Sequence, residues 1–163
     1  MKVKITKNIF PVYNADDVDL TSTDPNYLHV WVDGGGNFGK TSIGIVVVEK
    51  GIVTITFGAY LGLNSTNNTA ELTAIYKALR LVKHMKKPVR IYSDSAYAVF
   101  SLCRVFKGKK NTELINEIIE YIQKYPVVVE FVKVRGHQGL VFNEWADSIC
   151  SQLLSLNSKK NSK

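Results

Sequence analysis

The chain has 163 residues, of which 45% are hydrophobic, and a formal net charge of +7. This length fits one compact domain with enough apolar material for a sizeable core. No apolar run is long enough to span a membrane and the N-terminus lacks the apolar stretch of a signal peptide, so we expect a soluble, cytoplasmic protein. The basic balance favours a polyanionic partner such as nucleic acid, although an anionic membrane surface would also satisfy it.

The N-terminal part of the chain is predicted to be rich in strands. Residues 2–6 alternate polar and apolar side chains, as an edge strand would, and residues 14–26 have the composition of a linker or long loop. Residues 28–33 predict a buried strand that the next three glycines end in a turn. Residues 43–48 and 52–60 predict two further strands joined by a short turn, which completes an antiparallel meander.

The rest of the chain alternates between helix and strand. Apolar residues at helical spacing predict a helix over 70–85, and further helices are predicted over 95–106, 112–124 and 142–155. Residues 89–93 and 127–134 predict strands, and the helices between them imply parallel pairing. The predicted fold class is α/β, a mixed five-stranded sheet with three antiparallel strands and then two parallel ones, flanked by helices.

The predicted organisation is one central domain with two appendages. We expect an N-terminal extension over 1–27, which is either an edge strand or a flexible arm, a domain over 28–155, and a disordered basic tail over 156–163. Cys103 and Cys150 have no metal-binding spacing and are interpreted as small core residues. The start at Met1 and the polar tail favour a free-standing protein. We also expect a monomer.

Four acids lie where predicted strands and helices meet, and each has an ordinary structural explanation. Asp33 precedes a glycine, which is a turn signal. Glu71 lies three residues after Asn68, the spacing of a helix capping box. Asp94 stands before a helix, where aspartate is a favoured N-cap. Asp147, taken alone, is a solvated charge on a helix.

Taken together, the same acids indicate a metal site. If the strands that end at Asp33 and Asp94 are neighbours, both carboxylates emerge at one edge of the sheet, and Glu71 lies in the first turn of a helix that packs there. Asp147 follows Asn143 by one helical turn, so both face one way. Carboxylates this close repel unless a cation lies among them, and oxygen ligands suit Mg²⁺ or Mn²⁺. Two such ions can promote phosphodiester hydrolysis.

The ordered motifs around these acids resemble those of the bacterial-type (type 1) ribonuclease H family. They span residues 28–155 and comprise Val32-Asp33-Gly34-Gly35, Thr66-Asn67-Asn68-Thr69-Ala70-Glu71, Tyr92-Ser93-Asp94-Ser95, and Arg135-Gly136-His137-Gln138-Gly139 followed by Asn143-Glu144-Trp145-Ala146-Asp147. Each motif alone is weakly specific, but four in this order are strongly specific. The resemblance implies a ribonuclease H-like catalytic domain that cleaves the RNA strand of RNA–DNA hybrids, leaving 5′-phosphate and 3′-hydroxyl ends.

The resemblance also implies roles for single residues. Asp33 matches the carboxylate that bridges two Mg²⁺ ions, for which Mn²⁺ is a possible substitute. Glu71 and Asp94 match ligands of the first ion, and Asp147 matches the ligand of the second. His137 matches a loop histidine that moves protons or helps the product leave.

Contacts to the hybrid are implied as well. Asn67 and Asn68 match the stretch that reads the minor groove, where amides both donate and accept hydrogen bonds. Thr66 and Asn37 match groups that bind a phosphate of the DNA strand, and Asn143 is a further substrate-binding candidate. The long basic protrusion of many members is absent, and we expect a smaller basic patch, or merely a solvated turn, at Arg104, Lys107, Lys109 and Lys110.

Other functions on this fold stay open at this point. A non-catalytic module that binds hybrids is one, since a fold alone does not fix a function. A junction resolvase or integrase would keep the metal site and change the substrate, and a domain of a reverse transcriptase is also conceivable. Retention of all four acids argues against a pure binder, because a cluster of carboxylates repels a phosphate backbone. The Asn67-Asn68 stretch favours a hybrid nuclease over the resolvase type.

Overall fold

A mixed sheet with helices on both faces forms the core of the protein. The computed structural model describes residues 9–37, 39–62, 65–103 and 110–161. Within these ranges the strands are β1 Val12–Asn14, β2 Leu28–Asn37, β3 Lys40–Glu49, β4 Ile52–Gly62, β5 Val89–Ser93 and β6 Val129–Lys133. The helices are α1 Asn67–Val82, α2 Ala96–Cys103, α3 Thr112–Gln123 and α4 Val141–Asn161, with short 3₁₀ turns at Ala15–Asp17 and Lys83–Met85.

The sheet has the order β1-β6-β5-β2-β3-β4. Strands β2, β3 and β4 form the predicted antiparallel meander, and β5 pairs in parallel with both β2 and β6. The predicted fold class is therefore confirmed, with one difference in strand number. A sixth strand, β1, pairs in parallel with β6 through Val12 and Phe131, so the segment that we assigned to a linker begins inside the sheet.

Two apolar layers cover the sheet. On one face, α1, α2 and α3 pack on side chains such as Val30, Ile45 and Ile91, which are fully buried. On the other face, α4 packs on a smaller cluster that contains Trp31, Tyr92 and Val132. The rings of Trp31 and Tyr92 stack with centroids 4.2 Å apart, which adds to the stabilisation from buried area.

An N-terminal strap, residues 9–24, completes the second face beside α4. Its apolar side chains Ala15, Val18 and Leu20 pack on the Trp31 cluster. Trp31 Nε1 donates to Ser22 Oγ over 2.9 Å. Because the Asp24 carbonyl can only accept, His29 Nε2 donates to it over 2.9 Å, and the Tyr92 hydroxyl then donates to His29 Nδ1 over 2.7 Å. The strap is thus tied to β2 by two side-chain hydrogen bonds, one from Trp31 to Ser22 and one from His29 to Asp24.

The strap should contribute to folding stability through Phe10. This side chain is 9% exposed and lies against Phe131, with ring centroids 6.3 Å apart. We expect Phe10→Ala to lower the free energy of unfolding by about 3 kcal/mol, because the change leaves a cavity beside Phe131. Urea denaturation measures the loss. The matched control is Ile9→Ala, since Ile9 is 38% exposed and should cost less than ~1 kcal/mol. Equal, small losses for both variants would mean that the strap is a loose appendage.

Several predicted element ends differ from the structure. Strand β2 continues through Gly34, Gly35 and Gly36 instead of ending in a turn, because the glycines allow close packing rather than a reversal of the chain. Helix α4 runs to Asn161, so residues 156–161 continue the helix that we expected to end at 155; neither glycine nor proline interrupts it. The strand predicted over 2–6 lies outside the described residues.

Two simpler predictions concern the cysteines and the membrane. Cys103 and Cys150 are both buried, as expected for small core residues. Across the described ranges, the helices are all too short or too polar to cross a membrane.

Candidate active site

Three carboxylates converge where β2 and β5 lie side by side. Asp33 lies in β2, Asp94 directly follows β5, and Glu71 extends from the first turns of α1. One oxygen from each lies within 4.8 Å of the other two. We call these three residues the acidic cluster. The parallel pairing of β2 and β5 accounts for the juxtaposition of the two aspartates, because both strands run toward the same edge of the sheet.

Glu71 reaches this edge because α1 packs unusually close to β2. A Cβ added to Gly34 would lie 2.5 Å from the backbone carbon and oxygen of Ala70, so only glycine permits the approach. The Gly34 amide donates to Glu71 Oε1 over 3.1 Å. This hydrogen bond aims the carboxylate at the strand.

Asp147 flanks the acidic cluster from the opposite layer. It lies on α4, which crosses β3 so closely that a Cβ on Gly44 would lie 2.2 Å from the Ala146 carbonyl oxygen. Asp147 is exposed, yet it lies near enough to Asp33 to raise the pKa of that carboxyl. The four predicted acids therefore share one site, with the two layers of helices contributing one acid each.

The electrostatics of the cluster favour a cation. Burial, followed by the charges of Asp94 and Asp147, raises the pKa of Asp33 to about 8. Burial, followed by the charges of Asp33 and Asp94, raises the pKa of Glu71 to about 9. Negative charge in this site is thus costly without a counterion. Carboxylate oxygens at this spacing fit a hard divalent ion such as Mg²⁺.

Helices α1 and α2 are capped by residues other than these acids. Helix α1 begins at Asn67 with Thr66 as its N-cap, whose hydroxyl accepts from the Thr69 amide over 3.2 Å. The ordinary explanation of Glu71 as part of a capping box with Asn68 therefore does not hold. At α2, Ser95 Oγ accepts from the Ala98 amide over 3.0 Å. The carboxylates of Glu71 and Asp94 are consequently not used as caps.

The loop that carries His137 passes beside Asp94. A Cβ added to Gly136 would lie 3.0 Å from Asp94 Oδ2. His137 is exposed and has a φ of 59°, and Gly139 has a φ of 72°. Two left-handed residues so close together bend the loop sharply. The imidazole is open to solvent, and the residue before it lies beside Asp94.

Comparison with known proteins assigns the family. A family model described as RNase H matches residues 25–155. A ribonuclease H from Orientia tsutsugamushi (strain Boryong) is 33% identical over 137 residues, which cover 75% of this chain and 79% of that relative. The chain belongs to the RNase H family. This membership confirms both the predicted family and the predicted enzyme class, a ribonuclease H.

Further RNase H relatives agree in sequence and in fold. A ribonuclease H from Caldicellulosiruptor saccharolyticus is 31% identical over 123 residues, covering 67% of this chain and 81% of the relative. The structure of LC11-RNase H1, isolated from compost by a metagenomic approach, is 26% identical with a TM-score of 0.70, covering 81% of this chain and 98% of that one. RNase H enzymes depend on metal ions, in keeping with the acidic cluster.

Polar residues beside the acidic cluster form an exposed surface. Thr66, Asn67 and Asn68 are all exposed at the start of α1. Asn37 is exposed at the end of β2, and the turn that follows it lies beside this surface, because the Ser65 amide donates to the Gly39 carbonyl. These four substrate-binding candidates therefore lie together on one side of the acidic cluster.

Sequence reasoning missed Asn111, which the fold brings to the same surface. Thr69 Oγ1 donates to Asn111 Oδ1 over 3.0 Å, and Asn111 Nδ2 donates to the Tyr97 hydroxyl over 3.1 Å. Asn111 thereby joins the start of α1 to α2. No local sequence pattern predicts these hydrogen bonds, because the two partners of Asn111 are 42 and 14 residues away.

The remaining candidates are placed less directly. Asn143 is 4% exposed, so little of its side chain is available to a substrate. Lys110 is exposed at the start of the segment before α3. Arg104, Lys107 and Lys109 lie outside the described residues, and the basic patch proposed for them stays a prediction.

The close packing at Gly34 leads to a matched pair of variants. We expect Gly34→Ala to destabilise the protein by about 1–3 kcal/mol and to lower activity, since the new methyl group forces α1 and Glu71 away from β2. In Gly35→Ala the atom nearest to the new Cβ would be Asn67 Oδ1, at 3.8 Å, which is an ordinary contact. The stability of this variant should stay near that of the wild type. Thermal unfolding of both variants checks this, and a stable Gly34→Ala protein would contradict the packing argument.

Proposed function

We propose that this chain is an endoribonuclease that hydrolyses the RNA strand of RNA–DNA hybrids with two divalent metal ions. The observation that carries the proposal is the acidic cluster flanked by Asp147, in which burial and mutual repulsion call for positive charge. LC11-RNase H1, a structurally similar protein with a TM-score of 0.66, has been solved in complex with an RNA/DNA hybrid. That complex supports the choice of substrate.

The four acids would divide the metal ligation among them. Asp33 is close to Glu71 and Asp94 and interacts with Asp147 as well, so it would contact both ions. Glu71 and Asp94 would hold the first ion and Asp147 the second. When bound, such a pair of ions lowers the pKa of an attacking water and stabilises the leaving oxygen. Mg²⁺ is the proposed ion, with Mn²⁺ as a substitute.

The exposed residues around the cluster would bind the hybrid. Asn67 and Asn68 would contact the minor groove, where the 2′-hydroxyl distinguishes RNA from DNA. Thr66 and Asn37 would contact a phosphate of the DNA strand. Asn67 and Asn68 lie in the helix that carries Glu71, and Thr66 is its N-cap, so binding of both strands would align the RNA phosphate with the acidic cluster.

His137 would move a proton or assist departure of the product. Its exposed imidazole on a loop beside Asp94 suits either task. We expect His137→Ala to lower kcat about 10²-fold with little change in KM or in stability. The exposed His84 provides the control His84→Ala, which should retain full activity. Equal kcat values for His137→Ala and the wild type would remove this residue from the reaction.

Analysis of the product ends tests the proposed chemistry. Water would add to phosphorus while the bond to the 3′ oxygen breaks, leaving a 5′-phosphate on one fragment and a 3′-hydroxyl on the other. The expected downstream fragment therefore accepts ligation directly, without prior phosphorylation. Cyclic phosphate or 5′-hydroxyl ends would instead indicate attack by the RNA 2′-hydroxyl and would overturn the proposal.

A further inference from the structure

A stretch of the chain with only positive charges lies away from the acidic cluster. Between Leu72 and Ser93 the sequence holds six basic residues and neither aspartate nor glutamate. The six are Lys77, Arg80, Lys83, Lys86, Lys87 and Arg90. Five of them belong to the outer side of α1 and the turn that follows it, whereas Arg90 lies in β5.

Aromatic rings support three of these cations. Lys77 Nζ lies 5.0 Å from the centroid of the Phe57 ring, and the Arg80 guanidinium lies 4.6 Å from that of Tyr76. Lys83 Nζ lies 5.2 Å from the centroid of the Tyr121 ring on α3. Cation–π contacts of this kind hold the long side chains in place while their charged ends stay available. We call Lys77, Arg80 and Lys83 the α1 cation row.

The charges of the α1 cation row are not neutralised by ion pairs within the described residues. There the single ion pair joins Arg90 to Glu130, at 3.0 Å. Glu117 on α3 is near the row, where it accepts a hydrogen bond from the Tyr76 hydroxyl over 2.9 Å, and its single negative charge leaves an excess of positive charge there. Arg80 and Lys83 are exposed. The surface is therefore a persistent source of positive potential.

Helix stability explains only part of this arrangement. Cations in the last turn of a helix interact favourably with its dipole, which accounts for Arg80 and Lys83. It does not account for Lys77, which lies near the middle of α1, or for Lys86 and Lys87 beyond its end. Nor does it explain the absence of any acid over 22 residues, counted from Leu72 to Ser93.

We propose that the α1 cation row is a second nucleic-acid-binding surface, which holds the phosphate backbone outside the acidic cluster. Along α1, Lys77 to Lys83 lie 6 to 12 residues beyond Glu71, or about 9–18 Å at the rise of an α-helix. A duplex rises 3.4 Å per base pair, so this distance corresponds to about three to five base pairs. The row binds phosphates by charge alone, without reading sequence or sugar type.

Binding of duplex DNA without divalent metal tests this surface separately from cleavage. A labelled DNA duplex of about 30 base pairs is titrated in EDTA at salt concentrations from about 50 to 200 mM. We expect the triple variant Lys77→Gln, Arg80→Gln, Lys83→Gln to bind at least about fivefold more weakly than the wild type. The slope of log Kd against log salt should fall by about 2–3, since each lost phosphate contact contributes ~0.9.

The matched control removes the same charge elsewhere, with Lys159, Lys160 and Lys163 changed to Gln. An equal loss in this control would show a general effect of net charge and overturn the proposal, as would an unchanged slope in the triple variant. Circular dichroism checks that both variants are folded; glutamine has a helix propensity close to that of lysine. Binding of the α1 cation row to anionic phospholipid vesicles but not to the duplex would also overturn the proposal. Because no cleavage is needed, the result does not depend on the proposed hydrolysis.

Discussion

Replacing Asp94 with asparagine is expected to lower kcat on an RNA–DNA hybrid by about 10³-fold or more, equivalent to ~4 kcal/mol of transition-state stabilisation. Asp94 supplies one of three carboxylates whose oxygens lie within 4.8 Å of one another. An amide keeps the size of the side chain but removes the charge that would hold a divalent ion. Because Ser95 rather than Asp94 caps α2, the fold should be retained. Single-turnover cleavage measures the effect.

The Asp94→Asn variant should still bind the hybrid in the absence of metal. Glu144→Gln is the matched control, because Glu144 is an exposed carboxylate in the first turn of α4 and plays no part in the site. We expect this control to cleave at the wild-type rate. An Asp94→Asn variant that retained more than a tenth of wild-type kcat would mean that the acidic cluster is not the reaction centre.

Without metal, the acidic cluster should make the protein less stable as the pH rises. The pKa values of Asp33 and Glu71 are raised in the fold from 3.8 to about 8 and from 4.5 to about 9. Between about pH 4 and pH 9, the folded chain therefore binds more protons than the unfolded chain. The stabilising contribution of both groups is complete below about pH 4 and is lost as the pH rises through 8–9.

Asp33→Asn should remove much of this pH dependence. In EDTA at pH 8, we expect the variant to be more stable than the wild type by about 2–4 kcal/mol, because a shift of several pKa units is worth several kcal/mol. At pH 5 the difference should be small. His29 contributes in the opposite direction: burial lowers its pKa, so it favours folding above pH 6–7. This contribution is the same in the wild type and in Asp33→Asn, so it cancels when the two are compared.

Urea denaturation in EDTA at several pH values makes the measurement, and Asp16→Asn serves as the control, since Asp16 is exposed in a 3₁₀ turn. Adding Mg²⁺ should stabilise the wild type at pH 8 by mass action and the Asp33→Asn variant much less. A wild type whose stability does not fall with pH would show that the carboxylates do not repel one another in the folded state.

The acids could be identified from the sequence because the hydrophobic runs that precede Asp33 and Asp94 can be located without knowing the packing. These runs predicted two strands but left open whether the strands are neighbours. The parallel pairing of β2 and β5 in the structure brings the two acids together. The explanation by caps and turns was plausible for each acid taken singly. Thr66 and Ser95 take the capping roles instead, and both are residues that a sequence pattern also permits as caps.

The glycines after Asp33 show where local patterns are insufficient. A run of glycines is a turn signal, yet β2 continues through it, since Gly34 is required for the close approach of α1. The two uses of glycine, left-handed backbone and close packing, have the same local sequence. Only the position of α1, which depends on the whole sheet, distinguishes them.

The N-terminal strap was not predictable for a similar reason. Strand β1 has three residues, and its pairing with β6 depends on contacts such as Phe10 with Phe131 that span about 120 residues of chain. The same holds for Asn111, whose partners lie on α1 and α2. Short segments stabilised by long-range contacts carry no periodicity of their own.

The most direct test of the central claim is cleavage of an RNA–DNA hybrid labelled separately on each strand, with wild-type protein in Mg²⁺, in Mn²⁺ and in EDTA. We predict that only the RNA strand is cut, that cutting requires the metal, and that duplex DNA and duplex RNA stay intact. Tight binding of the hybrid without cutting in either metal would contradict the claim and indicate a binding module. Cutting of branched or duplex DNA would contradict it in favour of a resolvase-like activity.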